Sequence, residues 1–148
     1  MPATLPEILL APDVQPQVVA DSLALIEAEL ADKSGISGNA VKLAYKTASS
    51  FAPGYVRETV ESILPEAAAR LQPYWADFSA AGGGGFGDYL AKRGDEVAES
   101  LLSITDAWAE ESTRAVVLKA YRAVRSGAAK HVEAALPRLG DLVLKYAG

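Results

Sequence analysis

Residues 41–46 read Val-Lys-Leu-Ala-Tyr-Lys, and residues 117–122 read Val-Leu-Lys-Ala-Tyr-Arg. Two more pairs keep the same order along the chain. Val19-Ala20-Asp21-Ser22-Leu23 returns as Val97-Ala98-Glu99-Ser100-Leu101, and Val60-Glu61-Ser62-Ile63-Leu64-Pro65 returns as Val132-Glu133-Ala134-Ala135-Leu136-Pro137. Tyr74 and Tyr146 stand at equal distances from their respective Leu-Pro pairs. Ordered matches at a slowly drifting offset are the mark of a structural repeat. Convergent composition of alanine-rich helices is the competing explanation. The reading predicts an all-α fold: a compact bundle of seven to ten short helices in two pseudo-equivalent halves, about 5–81 and 86–148. A Gly-rich connector, Gly82 to Gly85, joins them in a single domain. The alternative is a short solenoid of helical hairpins with a concave face for a partner.

Apolar spacing is helical nearly throughout. Val18, Val19, Ser22, Ile26 and Leu30 recur at three- and four-residue steps in a helix from about Val14, which Gly35 ends. Ser37 is the expected N-cap of a helix to about Phe51, and Ala52-Pro53-Gly54 breaks the chain before another over Tyr55 to Ile63. Pro65 and Pro137 suit the first turn of new helices, where a missing amide hydrogen costs nothing. Pro73 is expected to kink or split its helix. In the second half, helices are expected over Phe86–Arg93 and from Asp95 to about Glu110. Another, capped by Ser112 or Thr113, runs to Arg125, with an interruption at Ser126-Gly127.

The chain has 148 residues, half of them apolar, with no cysteine and a net charge of −5. Disulfides and thiolate metal sites are excluded. The acidic balance disfavours nucleic acid and anionic membrane as partners. Residues 1–32 hold no Lys or Arg, so the basic region of a secretory signal is missing, and no apolar run is long enough to span a bilayer. A soluble, cytoplasmic protein is expected, with no cofactor.

Several groups of residues raise chemical possibilities. Gly82, Gly84 and Gly87 have the spacing of a dinucleotide-binding loop, but that loop follows a strand, and here a helix precedes it. Ser34, Gly35, Ser37 and Gly38, with Lys42 and Lys46, form a weak candidate for an anion at a helix N-terminus. A simple helix corner explains the same glycines. His131, the one histidine, cannot build a multi-histidine metal centre. It is expected at the surface or a helix end. Asp95, Glu99, Asp106 and Glu110 share one helix face, and Arg114, Lys119, Arg122, Arg125 and Lys130 load the next segment. The two sets would meet across an antiparallel hairpin, the alternative being a basic stripe for phosphate-bearing partners. Asp106, beside Ile104 and Trp108, has the semi-apolar setting of a general acid or base, although pairing with arginine explains it more simply. Leu71, Tyr74, Trp75 and Phe78 form the densest aromatic patch: core if covered, an interface or ligand mouth if bare.

Ser34-Gly35-Ile36-Ser37-Gly38 with Lys42 and Ala44-Tyr45-Lys46, then Leu64-Pro65, Thr105-Asp106 and His131-Val132-Glu133-Ala134-Ala135-Leu136-Pro137, carry a likeness over most of the chain. It resembles a group of small uncharacterised bacterial proteins, mainly actinobacterial. The resemblance implies a stand-alone helical protein and no mechanism.

The favoured expectation for function is a non-catalytic interaction module, self-associating through the aromatic patch as a homo-oligomer. The second is a carrier or sensor of a hydrophobic small molecule between helices. The third is an enzyme using Asp106 with His131 or an arginine.

Overall fold

The Thr4 hydroxyl accepts a hydrogen bond from the Glu7 amide (3.4 Å) and so caps the first helix, α1 (Leu5–Leu9), whose first turn holds Pro6. Leu5 and Leu9, one turn apart, are fully buried. The computed structural model describes residues 4–33, 35–51, 54–111 and 113–148, without the side chains at 36, 37, 48, 51, 117 and 126. The remaining elements are α2 (Gln15–Asp32), α3 (Gly35–Phe51), α4 (Tyr55–Ala80), α5 (Phe86–Lys92), α6 (Gly94–Glu111) and α7 (Ala115–Ala147). The fold is all-α, with no strand among the described residues.

The prolines do not divide the chain as expected. Pro65 and Pro73 lie inside one continuous α4, and Pro137 lies inside α7, which also runs unbroken through Gly127. A proline inside a helix forfeits a bond to the carbonyl four residues earlier. All three prolines face solvent, so water can reach the carbonyls they leave unpaired. The opposite face of α4 buries Leu64, Ala68, Leu71 and Phe78, and this packing holds the helix together through both positions. The helices are therefore longer than the sequence reading supposed, and the seven among the described residues stand at the low end of its range of seven to ten. Ser34, Ser112 and the Ser37 side chain lie outside the described residues, and with them the caps expected of Ser37 and Ser112. Thr113 is not the cap, since the residue at the N-cap of α7 is Arg114, which makes no side-chain capping hydrogen bond.

The helix order partly follows the repeat. A short helix and then one of 18 residues, α1 and α2, recur as α5 and α6. Helix α1 packs on α4, and α5 packs on α7. Counted from the Leu-Pro pairs, Leu64, Ala68 and Leu71 are buried like Leu136, Gly140 and Val143. Elsewhere the match weakens. Ala20 is exposed while its sequence counterpart Ala98 is buried, and burial aligns Val18-Val19 with Val97-Ala98 instead, one residue out of step. The first half breaks into α3 and α4 where the second continues as one helix. Tyr45 and Tyr121 lie on helices that pack together, yet Tyr121 sits in a polar cluster with no described equivalent at Tyr45.

Helix α7 packs against α1, α2, α3, α5 and α6. A solenoid confines contacts to neighbouring units, whereas here the first helix touches the last, so the bundle reading holds and the solenoid does not. Residues 82–84 have φ of 104°, 87° and 112°, a backbone that glycine alone adopts without strain, and they carry the chain across the surface from α4 to α5.

Candidate functional site: an apolar cavity

Four helices that bury one stripe each leave space where their stripes converge. Helix α2 contributes Val18, Ser22 and Ile26, spaced four apart on one face. Helix α4 contributes Ile63, Leu64, Ala67, Ala68 and Leu71 from the stripe that carries it past Pro65. Leu9 of α1 and Leu139, Leu142 and Val143 of α7 close the space, whose volume is about 240 Å³. Ser22 is the one polar side chain in this wall, and its hydroxyl donates to the Val18 carbonyl (2.8 Å).

Polar clasps strap α2 antiparallel to α7 on both sides of the lining residues. Toward one end, Lys145 donates to Asp21 (2.7 Å) and the Tyr146 hydroxyl donates to the same carboxylate. Lys145 and then Tyr146 hold the Asp21 carboxyl below its ordinary range. Toward the other end, Arg138 donates to Glu29 and to Asp32 (2.6 Å), and Lys33 also reaches Glu29 (3.3 Å). Glu29, 8% exposed, is the one buried charge among the described residues. A buried carboxylate needs such partners, because unpaired it costs several kcal/mol (on the order of 3–5).

A family model described as a family of unknown function, DUF6918, matches residues 5–147. The chain belongs to that family. The DUF6918 match spans every helix that forms the cavity. No curated protein matches the chain, and no solved structure does.

In this DUF6918 chain the aromatic patch of α4, read as core if covered and as an interface or ligand mouth if bare, is mostly core. Leu71 is 3% exposed and Phe78 5%, while Tyr74 and Trp75 are half-buried. Trp75 meets Phe86 edge-on (5.1 Å between centroids), and Phe78 lies 5.0 Å from Phe86 and 5.7 Å from Tyr89. The short helix α5 covers the patch, which sequence spacing on α4 could not foresee. Only Leu71 contributes to the cavity wall. Tyr74 borders a shallow groove with Arg70, Arg93 and Glu96, and burial, then Glu96 beside it, raises its hydroxyl pKa.

Of the proposed anion corner, Ser34 and the Ser37 side chain lie outside the described residues. Gly35 has φ of 77° with open space beside it, while a Cβ on Gly38 would lie 3.1 Å from the Lys33 carbonyl carbon, so it is Gly38 that lets the start of α3 pass close to the end of α2. Lys42 and Lys46 are exposed. Lys46 rims a groove with Leu43 and Val116.

The expected meeting of acidic α6 and basic α7 across an antiparallel hairpin is seen at Arg125 with Asp106 and Glu99. Arg125 donates to both Asp106 oxygens (2.7 and 3.0 Å) and reaches Glu99 (3.4 Å). Tyr121 donates to Asp106 at 2.5 Å, and Thr105 lies 2.8 Å from the same hydroxyl. Arg125 first, and Tyr121 second, lower the Asp106 pKa, while burial and then Asp106 push the Tyr121 hydroxyl up to about 12. Asp106 is thus an ion-pair partner, ionised at neutral pH and poorly suited to proton transfer. His131 sits in the middle of α7 rather than at a helix end, half-buried, its pKa lowered by burial and by Lys33. It follows Arg125 by six residues, about 9 Å along the axis, so it does not join Asp106 in one site. Among the described residues no acidic or histidine cluster suits a metal ion, and no helix is long and apolar enough to cross a membrane.

Proposed function

We propose that the protein carries or senses a small apolar molecule held in the cavity among α1, α2, α4 and α7. The carrying observation is the wall itself, aliphatic apart from Ser22 and framed by satisfied ion pairs. Ligand sites are commonly apolar spaces of this kind between helices. Ala67 stands at the repeat position of Leu139, so a small side chain keeps the space open where the other half carries a large one.

Native mass spectrometry of the purified chain tests this reading. The expected result is a species heavier than the 15.5 kDa chain by the mass of a small molecule, lost on organic extraction. Ala67→Leu, which fills the cavity, should abolish that species while preserving the helical circular dichroism. A bare chain that also takes up no added apolar compound refutes the proposal.

Self-association is the second reading. Its support has moved from the aromatic patch to Leu43 and Val116, which are 64% and 58% exposed beside one groove. Two side chains fall well short of the roughly 800 Å² per partner of a stable interface, which places this reading second. A sizing profile larger than a monomer, returned to monomer by Leu43→Lys, would reverse the order. A cytoplasmic setting fits the cysteine-free composition and belongs to either reading.

A further inference from the structure

Resting on the cavity as a ligand site, we propose that its occupant is a neutral alcohol of about ten non-hydrogen atoms whose hydroxyl donates to Ser22. The size follows from volume: a cavity of about 150 Å³ takes benzene, so about 240 Å³ takes roughly ten heavy atoms. The chemistry follows from where the Ser22 hydrogen goes. That hydrogen is engaged with the Val18 carbonyl at 2.8 Å, within α2. While that bond holds, what Ser22 turns to a ligand is the lone pairs of Oγ, so the wall offers an acceptor, and a donor only where the Val18 bond is given up.

A ligand hydroxyl satisfies that acceptor and is itself satisfied. An ether or ketone oxygen is paired only by breaking the Ser22–Val18 bond, and otherwise is buried unpaired. A carboxylate is excluded more strongly, because the cations flanking the α7 lining are already committed: Arg138 to Glu29 and Asp32, Lys145 to Asp21. The site therefore discriminates by hydrogen-bond polarity among molecules of one shape.

The experiment is isothermal titration of the full chain, freed of bound material, with three probes. These are 1-nonanol, its isomer methyl octyl ether, and octanoate. The expected order is 1-nonanol tighter than the ether by about fivefold, the worth of one hydrogen bond, with octanoate weaker than both. Ser22→Ala should abolish the alcohol's advantage over the ether; α2 keeps its backbone bonds, and alanine favours a helix. Equal binding of the two isomers by the unaltered chain, or an alcohol preference that survives Ser22→Ala, overturns the assignment to Ser22 and leaves the cavity reading standing. No binding of any probe overturns both.

Discussion

Gly140 of α7 lies so close to Gly87 of α5 that a Cβ at position 140 would stand 2.1 Å from the Gly87 backbone nitrogen. The reverse holds too, since a Cβ on Gly87 would meet the Pro137 carbonyl oxygen at 2.7 Å. Backbone rather than side chain is the obstacle, so nothing flexible can yield. Gly140→Ala is expected to destabilise the protein by about 3 kcal/mol or more, read as a lower denaturant midpoint. A change under about 0.5 kcal/mol would mean that the two helices do not touch there.

The Tyr89 hydroxyl is buried with no hydrogen-bond partner among the described residues, while its ring packs on Phe78 and Phe86. Removing an unsatisfied polar atom and keeping the ring should help. Tyr89→Phe is expected to stabilise by about 1 kcal/mol, where most core substitutions destabilise. Thermal unfolding followed by circular dichroism checks the sign, and a clear loss of stability would point to a water or other partner on that hydroxyl.

Arg138 ties α2 to α7 by holding Glu29 and Asp32. Arg138→Met strips the buried Glu29 of one of its two cations and is expected to cost about 1–3 kcal/mol. Combined with Glu29→Met, which removes the stranded charge, most of that loss should return. Denaturant titration of both single variants and the double completes the cycle, and strict additivity would deny the pairing.

Burial and Lys33 lower the His131 pKa from its ordinary value of 6.5, so the folded chain favours the neutral ring. The associated stability is fully present above pH 6.5 and is lost as pH falls below it toward the folded value. His131→Gln should flatten the stability profile between about pH 7 and pH 5. The depressed carboxyls of Asp106 and Asp21 act lower, their contribution lost only as pH drops below the ordinary carboxylate range near 4. Asp106→Asn should therefore leave the step between pH 7 and pH 5 intact and diminish the acid limb.

Much of the local structure was legible because it depends on near neighbours in the chain. The three- and four-step recurrence of Val18, Ser22 and Ile26 marks α2, and the face-sharing of Asp106 and Glu99 opposite Arg125 correctly anticipates their pairing across a short turn. Periodicity also names the side of α4 that is buried, because Leu64, Ala68 and Leu71 follow one stripe. It could not reveal that the same stripe overrides Pro65 and Pro73. A proline's local cost is visible in sequence, whereas the tertiary packing that offsets it is not.

The candidate site was far less legible. Nothing in the residues marks Ser22, Ala67 and Leu142 as neighbours, since they lie on three helices and carry no chemical signature. The aromatic patch was left open between core and interface for the complementary reason: Trp75 and Phe78 announce an apolar face but not that Phe86 and Tyr89 will cover it. By itself, then, the amino-acid order determined helical class, the absence of cysteine chemistry and the direction each amphipathic face must turn, all consequences of short-range spacing and composition. Only the tertiary structure decided which faces meet, where they leave a gap, and which charges are spent in holding the helices together. Those outcomes depend on side-chain volumes converging from distant parts of the chain, and no local pattern encodes them.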